Sequence, residues 1–171
     1  MPDTQTLGTY SRSGDLIDVR FERRYPHAIE KVWKALTDPA RLSDWMGESI
    51  VEPKVGGRFE TMLGTPGVAR GQVRVWDEPN VLEFSWNNWD SQDAVIRYEL
   101  TRDGDSTRVV FTHAGMPYDS SALMMPGWHV LLNGLGEALS GASNQGLFPD
   151  WKAMQGEYVA HYGLTDVRLG H

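Results

Sequence analysis

From Leu16 the chain alternates, with Ile17, Val19 and Phe21 interleaved between Asp18, Arg20 and Glu22. A period of two marks a strand with one buried face. Tyr25-Pro26 stops it, and a proline at a helix start gives up an N–H that would have no partner there. Ile29, Val32, Trp33 and Leu36 then fall at i, i+3, i+4 and i+7, one apolar helix face. Asp38-Pro39 ends that helix and opens a short second one through Leu42 and Trp45.

The middle of the chain reads as strands joined by tight turns. Gly56-Gly57, a bend on the way into a strand, precedes residues 59–63; 64–67 is a turn and 68–76 the next strand. Asp77-Glu78-Pro79-Asn80 turns the chain into 81–87, with Leu82, Phe84 and Trp86 on one face. Ala94, Ile96, Tyr98 and Leu100 alternate with Val95, Arg97, Glu99 and Thr101. Asp103-Gly104 signals a hairpin, leading to Val109, Phe111 and His113 on one face. This succession predicts an antiparallel meander.

After a loop over 115–125 the period becomes helical. Trp128, Leu131, Leu132, Leu135 and Leu139 form an apolar stripe that starts at Pro126. Gly134 and Gly136 weaken this helix by about 1 kcal/mol each relative to alanine, in return for close approach of its backbone to the sheet or a ligand. A loop over 141–146 follows, and Pro149 opens a last helix carrying Trp151, Met154, Tyr158 and Tyr162. The predicted class is α+β: a curved antiparallel sheet around a long C-terminal helix, with two short helices after the first strand. Residues 1–15 read as a flexible polar tail. Residues 16–171 read as one domain with a C-terminal helical extension over 149–162.

A chain of 171 residues buries about 70% of its unfolded surface and needs no staple. It has no cysteine, which excludes disulfides, thiolate metal sites and cysteine nucleophiles. Sixteen basic residues are dispersed among 23 acidic ones for a net charge of −7, so no nucleic-acid partner is expected. The opening residues lack a signal peptide's basic and apolar regions. No apolar run reaches about 18 residues, so no membrane span is expected and the default location is cytoplasmic. Seven tryptophans, six tyrosines and five phenylalanines supply a core or line an apolar cavity.

The segments HAIEKVWKALTDPARLSDWMG, VGGRF, DEPNVLEFSW, TRVVFTHAGMP and PGWHVLLNGLGEAL occur in this order. The succession, over about residues 16–139, resembles the homologues of the activator of heat-shock protein 90 ATPase. That family lies within the START-like, polyketide-cyclase-like helix-grip superfamily. The resemblance implies a helix-grip fold with a cavity between the long helix and the concave sheet, bordered by Trp45, Trp86, His113 and Trp128. The family commonly has two adjacent tryptophans where this chain has Trp45-Met46, which makes that edge more adaptable. Pro126 departs as well, and should delay or kink the long helix.

Phe84 and Tyr98, on inward strand faces, and Leu131, Leu132 and Leu135, on the helix stripe, complete the expected ligand-binding set. His113 shares its face with Val109 and Phe111. It is either a buried histidine satisfied by a carbonyl or acid, or a polar anchor or general base at the cavity end. With Ile96 and Leu100 inward, Arg97 and Glu99 form a surface ion pair and Tyr98 offers its hydroxyl to a ligand. In the opposite register Arg97 is a carboxylate anchor inside. His129 and Asp44 read as surface or rim residues. The five histidines show no metal-ligand spacing, and neither a nucleophile elbow nor a nucleotide-binding motif occurs. No catalytic residue, metal or cofactor is therefore assigned.

Three functions fit. The first is a module binding a small hydrophobic or aromatic ligand. The second is a cyclase- or aromatase-type enzyme with His113 as acid or base. The third is an interaction module stimulating a chaperone ATPase, through a patch such as Arg23-Arg24 or the terminal aromatics. The stripe Trp151, Met154 and Tyr158 either packs back on the domain or makes a homodimer contact.

Overall fold

The structure, a computed structural model, describes residues 6–63, 67–88, 93–142 and 150–169. Its strands are β1 (Thr9–Ser13), β2 (Leu16–Tyr25), β3 (Ser49–Val51), β4 (Arg58–Met62), β5 (Val68–Asp77), β6 (Val81–Trp86), β7 (Ala94–Asp103) and β8 (Ser106–Pro117). Its helices are α1 (Ile29–Thr37), α2 (Pro39–Leu42), α3 (Ser121–Leu139) and α4 (Trp151–Tyr162). The strands form one sheet in the order β1-β2-β8-β7-β6-β5-β4-β3, with every neighbouring pair antiparallel. The early strand β2 thus sits beside β8, and α3 covers the face that both bury. This is the α+β architecture that the alternation predicts, in the helix-grip form that the family resemblance implies.

The predicted faces recur in the burial. Ile29, Val32, Trp33 and Leu36 are the buried side of α1. Asp38 caps α2, its carboxylate accepting the Ala40 N–H at 3.0 Å, and Pro39 stands where its missing N–H costs nothing. The β5–β6 pairing depends on Gly71, where a β-carbon would stand 1.6 Å from the Ser85 carbonyl oxygen. Gly136 plays the predicted close-approach role: a β-carbon there would meet the Tyr25 ring at 3.3 Å.

Two boundaries need correction. Residues 9–13, read as part of a flexible tail, form β1 and pair with β2 over Thr9↔Arg20 to Ser13↔Leu16. Four of those five side chains are exposed, so the strand is held by its backbone and carries no apolar alternation. The long helix begins at Ser121 rather than Pro126, after β8 runs on to Pro117 and a short 3-10 turn spans Tyr118–Ser120. Pro126 lies inside α3, where it cannot donate to the Ala122 carbonyl one turn back. The buried Gln155 of α4 fills that vacancy, its Nε2 donating to Ala122 O at 2.8 Å and to Leu169 O at 3.1 Å. The proline is tolerated because another helix satisfies the carbonyl it strands.

Gln155→Leu keeps the volume and removes that donor. It should destabilise the protein by about 1–3 kcal/mol, the cost of a buried unsatisfied carbonyl, as read by urea unfolding. A change below about 0.5 kcal/mol, the range of ordinary surface substitutions, would show that Gln155 does not support the Pro126 turn. Met1–Gln5, parts of the turn at 64–67 and of the loop at 141–146, Pro149 and His171 lie outside the described residues.

Candidate functional site

The concave face of the sheet carries the aromatic residues that the alternation places inward. Phe84 and Trp86 come from β6, Tyr98 from β7, Phe111 and His113 from β8, and each is buried. Trp128 descends on them from α3. Its ring centre lies 4.5 Å from that of Phe111 and 5.6 Å from that of Trp86. Tyr98 lies 5.2 Å from Phe111, and Phe84 stacks on Phe59 at 3.9 Å. The three tilted contacts suit the ring quadrupoles and add to area burial. Leu131, Leu132 and Leu135 complete the α3 side, all at most 9% exposed.

The register around β7 is settled. Ile96, Tyr98 and Leu100 point inward, while Arg97 points outward and donates to Glu83 at 2.9 Å and Glu99 at 3.2 Å. The internal carboxylate anchor considered for Arg97 is therefore excluded. Cross-strand pairing of Tyr98 with Phe111 and of Ile96 with His113 fixes the face, because a one-residue slip would reverse every side chain.

Polar groups inside this cluster are few and specifically held. The Trp128 indole N–H donates to His113 Nδ1 at 2.9 Å. An indole nitrogen can only donate, so His113 Nδ1 must be the acceptor, and the ring is a neutral imidazole carrying its proton on Nε2. The lone pair that a general base would use is therefore already engaged. Tyr25 donates its hydroxyl to Leu132 O at 2.8 Å, tying β2 to α3. The Tyr98 phenol is pushed well above its ordinary value of 10.0 by burial, with neighbouring Tyr25 adding to the shift. Trp45 stands apart: its indole N–H donates to Ala35 O at 3.0 Å, and among the described residues it shares no ring contact with the cluster.

Sequence reasoning missed a second polar group of side chains. His129, expected at the surface or rim, is fully buried, with Nδ1 2.8 Å from the Tyr158 hydroxyl. That hydroxyl also accepts the Gly8 N–H at 2.7 Å, and Tyr162 donates to Gly8 O at 2.6 Å. The arrangement that satisfies every group has Tyr158 donating to His129. Arg23 is 3% exposed and donates to Thr6 O at 2.8 Å and Glu22 O at 3.0 Å. Its neighbour Arg24 pairs with Asp103 at 2.7 Å, so the doublet is not an open basic patch. A signal for Arg23 was present, since it continues the inward alternation Ile17, Val19, Phe21. His129 had none, because its burial comes from α4, whose stripe packs back on the domain through Tyr158.

Burial also raises the Tyr158 phenol, against the Gly8 N–H and Arg23, which lower it. A folded-state pKa above the unfolded one gives stability that is complete below pH 10 and lost as pH rises beyond it. Spectrophotometric titration of the six tyrosines should therefore resolve Tyr98 and Tyr158 as a class that ionises only with alkaline unfolding. Six phenols titrating together near pH 10, in a chain still folded by circular dichroism, would contradict that burial.

A separate open space lies away from this cluster. A cleft of about 620 Å³ between α1, α2 and the C-terminal end of α3 is lined by residues that include His27, Lys31, Lys34, Arg41, Asp44 and Ser140. None of the nine residues expected to hold a ligand lines it. Asp44, expected at the surface or rim, is half-buried and lines this cleft. No cluster of metal-ligating side chains occurs among the described residues, and no described helix is long and apolar enough to cross a membrane.

Residues 26–140 match the model of the family described as activator of Hsp90 ATPase homolog 1-like protein. Among solved structures, CalU16 from Micromonospora echinospora is 23% identical, with a TM-score of 0.73 over 91% of this chain and 94% of that one. A protein from Bordetella parapertussis is 21% identical, with a TM-score of 0.69 over 100% and 98% of the two chains. DynU16, a protein of the dynemicin biosynthetic locus, is 20% identical, with a TM-score of 0.69 over 78% of this chain and 50% of its own. At these identities the likeness shows a shared fold. No curated protein sequence matches this one.

Proposed function

Because the chain belongs to the activator of Hsp90 ATPase homolog 1-like family, whose helix-grip fold lays a helix across a curved sheet, we propose that it is a small-molecule binding module. Its ligand is apolar or aromatic and is taken between α3 and the concave sheet. The observation that carries this reading is the buried polar set within the aromatic cluster: the Tyr98 hydroxyl and the His113–Trp128 pair. Burying polar groups is costly, and an all-aliphatic core would avoid the cost. Here they give an apolar guest a direction.

The rings pack against one another, so in this reading the guest is admitted by a shift of α3. Pro126, Gly127, Gly134 and Gly136 make that helix less rigid than its length suggests. Phe84, Trp86, Leu131, Leu132 and Leu135 then supply the apolar contacts to the guest, and Trp45, held to Ala35 O, stays apart from it. A binding role is preferred to a cyclase-type reaction because the His113 lone pair is engaged by Trp128.

Native mass spectrometry of gently purified protein, paired with a denatured run, tests the reading. A mass excess that disappears on denaturation supports it, and the excess mass gives the ligand's class. A clean apo mass, with no tryptophan emission change on titration with indole or 1-octanol, rejects it. The family's name supplies a second reading, stimulation of a chaperone ATPase. It requires a rise in chaperone ATPase rate with added protein, and a flat response at saturation removes it.

A further inference from the structure

We infer that the cleft between α1, α2 and the C-terminal end of α3 is a separate binding site for a small organic anion, an oxyanion head on an apolar body. The first argument is how the cations are distributed. The chain carries a net charge of −7 and only four lysines, yet Lys31 and Lys34 share this one cleft with Arg41 and His27. Asp44 is the carboxylate that faces them, 3.9 Å from Arg41.

Elsewhere most of the arginines are matched to carboxylates. Arg24 meets Asp103 at 2.7 Å, Arg102 meets Glu30 at 2.7 Å, Arg97 meets Glu83 at 2.9 Å and Arg168 meets Asp119 at 3.2 Å. In the cleft Lys31 and Lys34 have no carboxylate partner among the described residues, and the neutral His27 ring accepts from the Lys31 ammonium. Lys31 Nζ lies 3.5 Å from His27 Nδ1. Burial first, and then the Lys31 ammonium, hold His27 below the ordinary imidazole value of 6.5. A concave surface with an excess of one sign of charge, here that of Lys31 and Lys34 beyond the Arg41–Asp44 pair, concentrates ions of the other.

The second argument is the floor. Ala35 and Leu139 are buried beneath the cations, beside Ala138. About 620 Å³ is within the range of small-molecule sites, and far larger than a bare phosphate or carboxylate requires. The shape therefore calls for an apolar body behind the charged head, with the Ser140 hydroxyl at the rim as a further donor. Trp45 braces this floor from behind through its bond to Ala35 O.

Nitrogen-15 NMR of the full chain with octyl phosphate, octanoate and 1-octanol tests the site and separates it from the aromatic interior. Both anions should give saturable shifts at the amides of Lys31, Lys34, Ser140 and Gly141, while 1-octanol should not. Tighter binding of octyl phosphate would mark a phosphate head, and of octanoate a carboxylate head. The separate exposed-site variants Lys34→Glu and Arg41→Glu should each weaken binding about tenfold, and raised salt should weaken it several-fold. The His27 titration should move upward with anion bound, since a neighbouring negative charge favours imidazolium. The site is overturned if those amides do not shift, if 1-octanol shifts them equally, or if both variants, with indole resonances unchanged, bind as tightly as the parent. Shifts confined to the Trp86 and Trp128 indole N–H groups would overturn it as well, while supporting the interior site.

Discussion

Trp128→Ala is expected to cost about 3–5 kcal/mol of stability, the range for removing a large aromatic side chain from a packed core. The ring is 3% exposed and lies against Phe111 and Trp86, so its loss leaves a void walled by aromatics. It also removes the donor to His113 Nδ1, leaving a buried acceptor unsatisfied. Trp128→Phe separates the two effects: it keeps a ring but no N–H, and should cost about 1–3 kcal/mol, nearer the hydrogen-bond share. Urea unfolding of both variants reads these differences. The alanine variant should also regain thermal stability with added indole, because apolar engineered cavities take up matching aromatics. A Trp128→Ala loss below about 1 kcal/mol, well under the core range, would show that α3 does not depend on this ring.

Tyr158→Phe is expected to cost about 2–6 kcal/mol, since two buried groups lose their partner at about 1–3 kcal/mol each. The Gly8 N–H loses its acceptor at 2.7 Å and His129 Nδ1 its partner at 2.8 Å. Volume is nearly unchanged, so the loss reports hydrogen bonding alone. The break is local as well: it unties β1 and the residues before it from α4 and α3. Limited proteolysis should therefore cut near residues 6–13 sooner than in the parent, while β7 and β8 stay protected. Tyr162→Phe removes one partly buried bond to Gly8 O and should cost about 1 kcal/mol. Equal effects from both variants would mean that His129 does not take part.

Much of the fold was legible because burial on one face imposes a period. Ile17, Val19 and Phe21 announced β2, Ile29 to Leu36 announced α1, and Leu82, Phe84 and Trp86 announced β6. The same logic placed Tyr98, His113 and Trp128 inward, where Tyr98 and Trp128 both meet Phe111 and His113 meets Trp128. β1 was not legible, because an edge strand held by its backbone needs no apolar alternation. The start of α3 was misplaced because Pro126 reads locally as a helix start. Its tolerance in the interior depends on Gln155, 29 positions away.

The sequence by itself determined the architecture, the composition of the core and the family, since these follow from local periodicity and motif order. Only the tertiary structure decided how the polar groups inside are paired. Whether His113 is a base or an acceptor depends on Trp128 lying 2.9 Å away. Whether His129 is exposed depends on α4, and whether Lys31, Lys34 and Arg41 share a cleft depends on how α1 and α2 meet the end of α3. Hydrogen bonds and electrostatic fields act over distances in space, and separation along the chain does not fix those distances until the sheet has closed β2 against β8.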